Sequence, residues 1–279
     1  VEGDFVEKGD LLVRLDDRDA RLQLAQRDAE LRQAEARIQL LRLGYDNEQL
    51  NLLWMSLSTE YFLQNAVDAI VWHTELLWPP GRRIANINVA SRDDALHRCS
   101  DIFVYGPDRD DLFAHTTALL DQLSLNVLSA RIHTTAAGLS INSYLVLEED
   151  GSQIEGEERL EGIRYYLQDG LNSAEPPQGG LRIPRQLKSF QMPSEVSFIQ
   201  DQGRMVTLLQ LKTSDRPGLL SMVGQAFAAN KLRLHNARIA TAGAEAQDTF
   251  SITDREDRPI SDPARLATIA ESIKQILDD

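Results

Sequence analysis

The chain has 279 residues and a formal charge of −14, with 29 Lys and Arg against 43 Asp and Glu. That length suits two or three compact domains, and the acidic balance with scattered basic residues argues against nucleic acid or an anionic membrane as partner. The single cysteine, Cys99, excludes an internal disulfide framework and a multi-cysteine zinc site and fits a reducing, cytoplasmic setting, while no apolar run approaches the length of a membrane span.

Residues 1–19, VEGDFVEKGDLLVRLDDRD, alternate apolar and polar positions around Gly3 and Gly9, the pattern of two short strands joined by a turn. The chain starts at Val1 without a signal peptide's basic start and apolar core, so it reads as a fragment. From Asp19 to about Leu43 the composition shifts to Ala, Gln, Glu, Arg and Leu, with apolar residues at Leu22, Ala25, Ala29, Ala36 and Leu40. This predicts a long helix with a thin apolar seam. Residues 46–78 carry broad helical apolar faces with Trp54, Tyr61, Phe62 and Trp72, predicting two packed helices, the second capped by Ser58 or Thr59. WPPGRR at 78–83 ends them, since neither proline donates a backbone hydrogen bond.

Beyond that point the sequence repeats. Shifted by 107 residues, DRDDLFAHTTALLDQLSLNVLSARIHT (108–134) falls on DRPGLLSMVGQAFAANKLRLHNARIAT (215–241). Each copy reads as a β-rich run, a turn, an amphipathic helix (about 110–123 and 217–229), two alternating strands, and a second helix (about 157–171 and 263–277). That order implies an antiparallel sheet with both helices on one face, an α+β fold. NSAEPPQGG at 172–180 has the composition of a linker, and EVSFI at 195–199 is a further strand with no evident sheet. The boundaries expected are 1–43, 44–80, a first repeat at 84–172, a linker at 173–194, and a second repeat at 195–279.

Catalytic signatures are absent. The five histidines, His73, His97, His115, His133 and His235, form no HExxH motif and do not cluster with cysteine, so no metal ligand is expected. DRD at 108–110 has the carboxylate spacing of a two-metal transferase but lacks a Gly-Ser or Gly-Gly shortly upstream, and it reads as a solvated helix start. Gly179 and Gly180 have no Lys-Ser/Thr behind them, and no G-x-S-x-G elbow occurs.

The turn SDRPGLL is the candidate binding element. Pro217 suits a helix's first turn, Gly218 permits close approach of a backbone or ligand, and the free N–H groups at the positive end of the helix dipole can hold a carboxylate. Asp215 can cap the same N–H groups or accept from a ligand's ammonium group. A capped helix start with no ligand fits the same residues.

SDRPGLLSMVGQAF followed by LHNARIAT resembles an ACT domain, a βαββαβ ferredoxin-like module that binds amino acids, which makes the repeat two tandem ACT-like domains. RLGYDNEQLNLLW, EYFLQNAVDAIVWHTELL, both repeat copies and the intervening RQLKSFQMPSEVSF together resemble the C-terminal part of the bifunctional PII uridylyltransferase/uridylyl-removing enzymes, over roughly residues 41–279. In that family a nucleotidyltransferase domain, working with magnesium, uridylylates the PII signalling protein, an HD-type domain removes the group, and tandem ACT domains sense glutamine. The resemblance implies a cytoplasmic glutamine sensor with neither catalytic motif and no cofactor of its own, residues 44–80 being the end of the HD region.

By the same resemblance glutamine, or another small amino acid, would contact Asp215, Arg216, Pro217, Gly218, Leu219, Leu220 and Asn236. The equivalent site in the first copy is Asp108, Arg109, Asp110, Asp111, Leu112 and Ser129. The first copy replaces Pro-Gly by Asp110-Asp111, adding negative charge, so the second is expected to bind better. Residues 1–37 resemble instead the HlyD-like membrane-fusion subunits of efflux pumps, a half lipoyl-like motif leading into a helix, which leaves a pump-adaptor fusion as the alternative.

Overall fold

The computed structural model describes residues 18–94, 98–173, 193–201, 205–216, 218–239, 241–242 and 245–278. The strands expected within residues 1–19 lie outside these residues except at Arg18 and Asp19, which begin a helix instead, and most of the linker lies outside them too. The chain divides at Arg82/Arg83 into two compact units.

The first unit is helical. Helix α1 (Arg18–Arg42) is built from strong helix formers, and its seam of Ala29, Ala36 and Leu40 is buried where it packs on α3 and α4. The segment 46–78 holds three helices, α2 (Asn47–Trp54), α3 (Thr59–Gln64) and α4 (Val67–Leu77), where two were expected. The additional break falls at Asn65, which is extended and donates its side-chain amide to the Tyr61 carbonyl at 2.8 Å, ending α3 inside an otherwise periodic stretch. Ser58 caps α3 by accepting from the Tyr61 N–H, and Asp46 caps α2 through Gln49. His73 is a core residue, its Nδ1 2.9 Å from the Tyr61 hydroxyl.

The second unit is a single sheet carrying both repeats. Its elements are β1 (Asn88–Asp94), β2 (Cys99–Pro107), α5 (Leu112–Gln122), β3 (Leu125–Thr134), β4 (Leu139–Glu148) and α6 (Glu157–Asn172). They are followed by β5 (Glu195–Asp201), β6 (Val206–Ser214), α7 (Leu219–Ala229), β7 (Arg233–Arg238), β8 (Thr241–Ala242), β9 (Glu245–Thr253) and α8 (Pro263–Asp278). The strand order is β1-β2-β4-β3-β7-β9-β6-β5, with β8 added on β9, and the pairing is antiparallel throughout the described residues.

The fold is α+β with tandem ACT-like halves, as the repeat implies. One detail differs from a plain βαββαβ order: in each half the outermost strand comes first, as a hairpin with the next. The strand EVSFI is β5, the outer edge beside β6. Alternate residues of the central strands, among them Ile102, Val104, Ile132, Tyr144, Leu209, Leu211, Phe250 and Ile252, share one core with α5, α6, α7 and α8. Burial in β6 has the period of two of a sheet covered by helices on one face, whereas β2 and β4 are buried at nearly every position.

The halves join through β3 and β7, where Arg131 pairs with Arg238. These are equivalent positions of the repeat, so a pseudo-two-fold axis passes between them and the two helix-start turns lie on either side of it. Each joining strand carries a bulge at the matching place, Val127/Ser129 and Leu234/Asn236.

Candidate functional site: a cleft between the two halves

The turn after β2 delivers Asp108 into a cleft of about 40 Å³. First-half residues Asp108 to Ala114, Ile132, Ser140 and Asn142 form one wall; second-half residues Gly224, Phe227, Ala228, Leu232, Arg233 and Leu234 form the other. The Asp108 carboxylate accepts from the Ser140 hydroxyl at 2.9 Å, the Thr134 hydroxyl at 3.4 Å and, across the cleft, the Arg233 guanidinium at 2.5 Å. Arg233 also donates to both carboxylate oxygens of Asp257 at 3.0 Å, and its hydrogen bond to Asp108 raises its pKa. The acidic pair that distinguishes the first turn faces a second cation: Arg255 lies 3.7 Å from Asp110 and 3.9 Å from Asp111. The added negative charge of this turn is thus matched across the repeat boundary.

The floor of the cleft is apolar. Phe113, Phe227 and Phe250 form one aromatic group, with ring centroids 5.1 to 6.5 Å apart. Helix α7 approaches α5 closely at Gly224, where an added Cβ would lie 2.6 Å from the Ala114 Cα. His235, beside Arg233, has its Nε2 2.7 Å from the Thr253 hydroxyl, and burial holds its pKa below the usual histidine value.

The two DR turns are built alike. Asp111 and Gly218 occupy equivalent places at the starts of α5 and α7, with φ of 66° and 77°, and neither helix has a side-chain cap. Gly218 meets this left-handed requirement without a steric penalty; Asp111 meets it at a cost of about 1 kcal/mol. The side chains of Arg109 and Arg216 turn away to the far ends of the second helices. Arg109 donates to the Leu171 carbonyl at 2.5 Å, and Arg216 donates to the Leu277 carbonyl. Leu112, Leu219 and Leu220 are core residues. Asp215 does not cap α7; burial pushes its carboxyl pKa up, against a lowering hydrogen bond from the Arg216 N–H. Pro217 lies outside the described residues. Ser129 and Asn236 sit at the two bulges and do not line the cleft.

Comparison with known proteins decides the relationship. A family model described as "Uridylyltransferase GlnD fifth domain" matches residues 24–76. The bifunctional uridylyltransferase/uridylyl-removing enzyme of Methylococcus capsulatus is 38% identical over 247 residues, covering 88% of this chain and 28% of that protein. Proteins of the same name from Pseudomonas putida and Pseudomonas syringae pv. tomato are 37% identical over 244 and 240 residues, covering 85% and 84% of the chain and 27% of each relative. The chain is homologous to the C-terminal portion of these enzymes. It spans under a third of their length.

The match to the uridylyltransferase begins at residue 24, inside the segment that resembles an efflux-pump subunit, and this leaves the pump-adaptor alternative without support. Among the described residues no helix is long and apolar enough to cross a membrane, and no group of three His, Cys, Asp or Glu could hold a metal ion. The acidic turn is engaged by arginines instead. Sequence reasoning did not find Ser140, Asn142, Gly224, Phe227, Arg233 and Arg255, because it paired each turn with a strand of its own copy. The 107-residue repeat is the signal that could have found them, had it been read as two halves facing each other across a dyad.

Proposed function

We propose that this chain is the glutamine-sensing regulatory portion of a cytoplasmic bifunctional uridylyltransferase/uridylyl-removing enzyme whose protein substrate is PII. It needs no cofactor of its own; magnesium belongs to the catalytic part of such an enzyme. The observation that carries the reading is the cleft between the halves, where Asp108 and Arg233 present a carboxylate and a guanidinium to each other. An α-amino acid offers the complementary ammonium and carboxylate, and uncapped first-turn N–H groups supply further donors.

In the present cleft the Asp108 carboxylate and the Arg233 guanidinium are already bonded to each other. An amino acid therefore enters by parting Asp108 from Arg233 and spreading the halves, which makes binding and conformational change one event. The turn at Gly218 lies outside this cleft and is the less acidic of the two helix starts, which makes it a second candidate site. Calorimetry with glutamine on the wild-type chain and on Arg233→Ala, which removes the cleft's cation, tests this reading. Heat in the wild type that is lost or weakened in the variant is expected; equal heats from both, or none from either, would sink it.

A further inference from the structure

Arg109 and Arg216 belong to a contact that the molecule builds twice. In the first half the Arg109 guanidinium holds the Leu171 carbonyl at the end of α6. The next residue, Asn172, clasps the chain just before β1: its Oδ1 accepts from the Ile87 N–H at 2.9 Å and its Nδ2 donates to the Ile87 carbonyl at 2.8 Å. In the second half Arg216 holds the Leu277 carbonyl at the end of α8. The next residue, Asp278, accepts from the Ser194 N–H at 3.2 Å and from the Ser194 hydroxyl at 2.7 Å, just before β5.

The residue types differ, Asn with Ile in one half and Asp with Ser in the other, while the connection is the same. Both arginines are half-buried, with burial lowering their pKa, so each places a costly guanidinium against a helix end. The first half adds a steric link: a Cβ on Gly106 would lie 2.8 Å from the Asn86 carbonyl oxygen and from the Ile87 Cα. The end of β2, which carries the Asp108 turn, thus lies in direct backbone contact with the entering chain.

We propose that each clasp is a relay tying a helix-start turn to the chain entering its half, with Arg109 and Arg216 as positioning residues and Asn172 and Asp278 as the grips. Ile87 follows closely on the Arg82/Arg83 boundary with the helical unit, so the first relay's output is the connection to that unit; the second relay's output is the segment before β5. The linkage stands on this geometry alone. Its use in regulation rests on the sensor reading above.

Hydrogen exchange on the full chain tests it, read in peptides covering 84–90, 193–201 and, as a folding control, β4. Arg109→Gln is expected to speed exchange in 84–90 about tenfold and leave 193–201 and β4 unchanged, and Arg216→Gln to do the reverse. Asn172→Ala matches Arg109→Gln, whereas Asn172→Asp, the residue type of the second half, keeps most of the protection. If Arg109→Gln also strips β4 of protection, Arg109→Lys, which keeps stem and charge, takes its place under the same criterion. Fast exchange at 84–90 in Asn172→Ala but not in the Arg109 variant would overturn the relay, leaving a local pin. With glutamine added, heat of binding without any change at 84–90 or 193–201 overturns the regulatory relay and spares the sensor reading. No heat, with the arginine effects intact, keeps the mechanical linkage and removes glutamine.

Discussion

Gly224→Ala sets two effects against each other. In an exposed helix interior, replacing Gly by Ala stabilises by about 1 kcal/mol. At Gly224 the new Cβ would stand 2.6 Å from the Ala114 Cα, 3.0 Å from its Cβ and 3.3 Å from its N, and two of these atoms are α5 backbone. Ordinary carbon contacts begin near about 3.5 Å, so α5 and α7 must separate by about 1 Å. Overpacking of this kind costs about 1 to 3 kcal/mol. The net expectation is a loss of about 0 to 2 kcal/mol, read as a lower urea midpoint with an unchanged slope. Because Ala114 and Gly224 both line the cleft, the variant is also expected to shift the heat of glutamine binding. A gain near 1 kcal/mol, the propensity term alone, would refute the close docking of the two halves.

The helix-start turns give a paired expectation. Gly218→Ala loses about 1 to 2 kcal/mol because its φ of 77° is left-handed, and Asp111→Gly gains about 1 kcal/mol at φ 66°, less the weak contact to Arg255; urea midpoints measure both. Arg233→Ala removes the cross-cleft partner of an Asp108 side chain that is 11% exposed, and is expected to cost about 1 to 3 kcal/mol in the same assay. Stability should also fall on acidification. Burial pushes His133 down to about 3, Arg131 adding to the effect, while an unfolded histidine titrates near about 6.5. Between these values the unfolded chain binds the extra proton, so stability is full above about pH 6.5, drops by about 1.4 kcal/mol per pH unit below it, and levels off below pH 3. His235 is shifted in the same direction and adds to the upper part of that window; His133→Gln should flatten the slope in acid titrations of the urea midpoint.

The helices and most central strands were legible because their signals are local. Periodicity, the cap at Ser58 and the prolines after Leu77 set the helices of the first unit, and alternating apolar residues marked β2, β3, β4, β6 and β9. β1 escaped notice because NVASRDD is a polar edge strand with no buried position to impose alternation. The break at Asn65 also escaped, since one side chain bonding the backbone carbonyl of Tyr61 overrides a continuous apolar period. The cleft was less legible still. Its second wall is fixed by the meeting of β3 with β7, and no local pattern in either strand announces that partner. The left-handed backbone at Asp111 is likewise invisible beside a sequence that lacks the glycine.

That meeting of β3 with β7 sets two like charges, Arg131 and Arg238, opposite each other on the dyad. Across an antiparallel pair such an arrangement is destabilising, and as free domains two such modules would meet this repulsion with the full entropic cost of association added. Carried on one chain, the two halves meet without the full entropic cost of association. The core shared by α5 and α7 and the Asp108–Arg233 pair offset this repulsion across the same joint. A seam of that kind can part for a small molecule and close again without the halves ever being lost to one another.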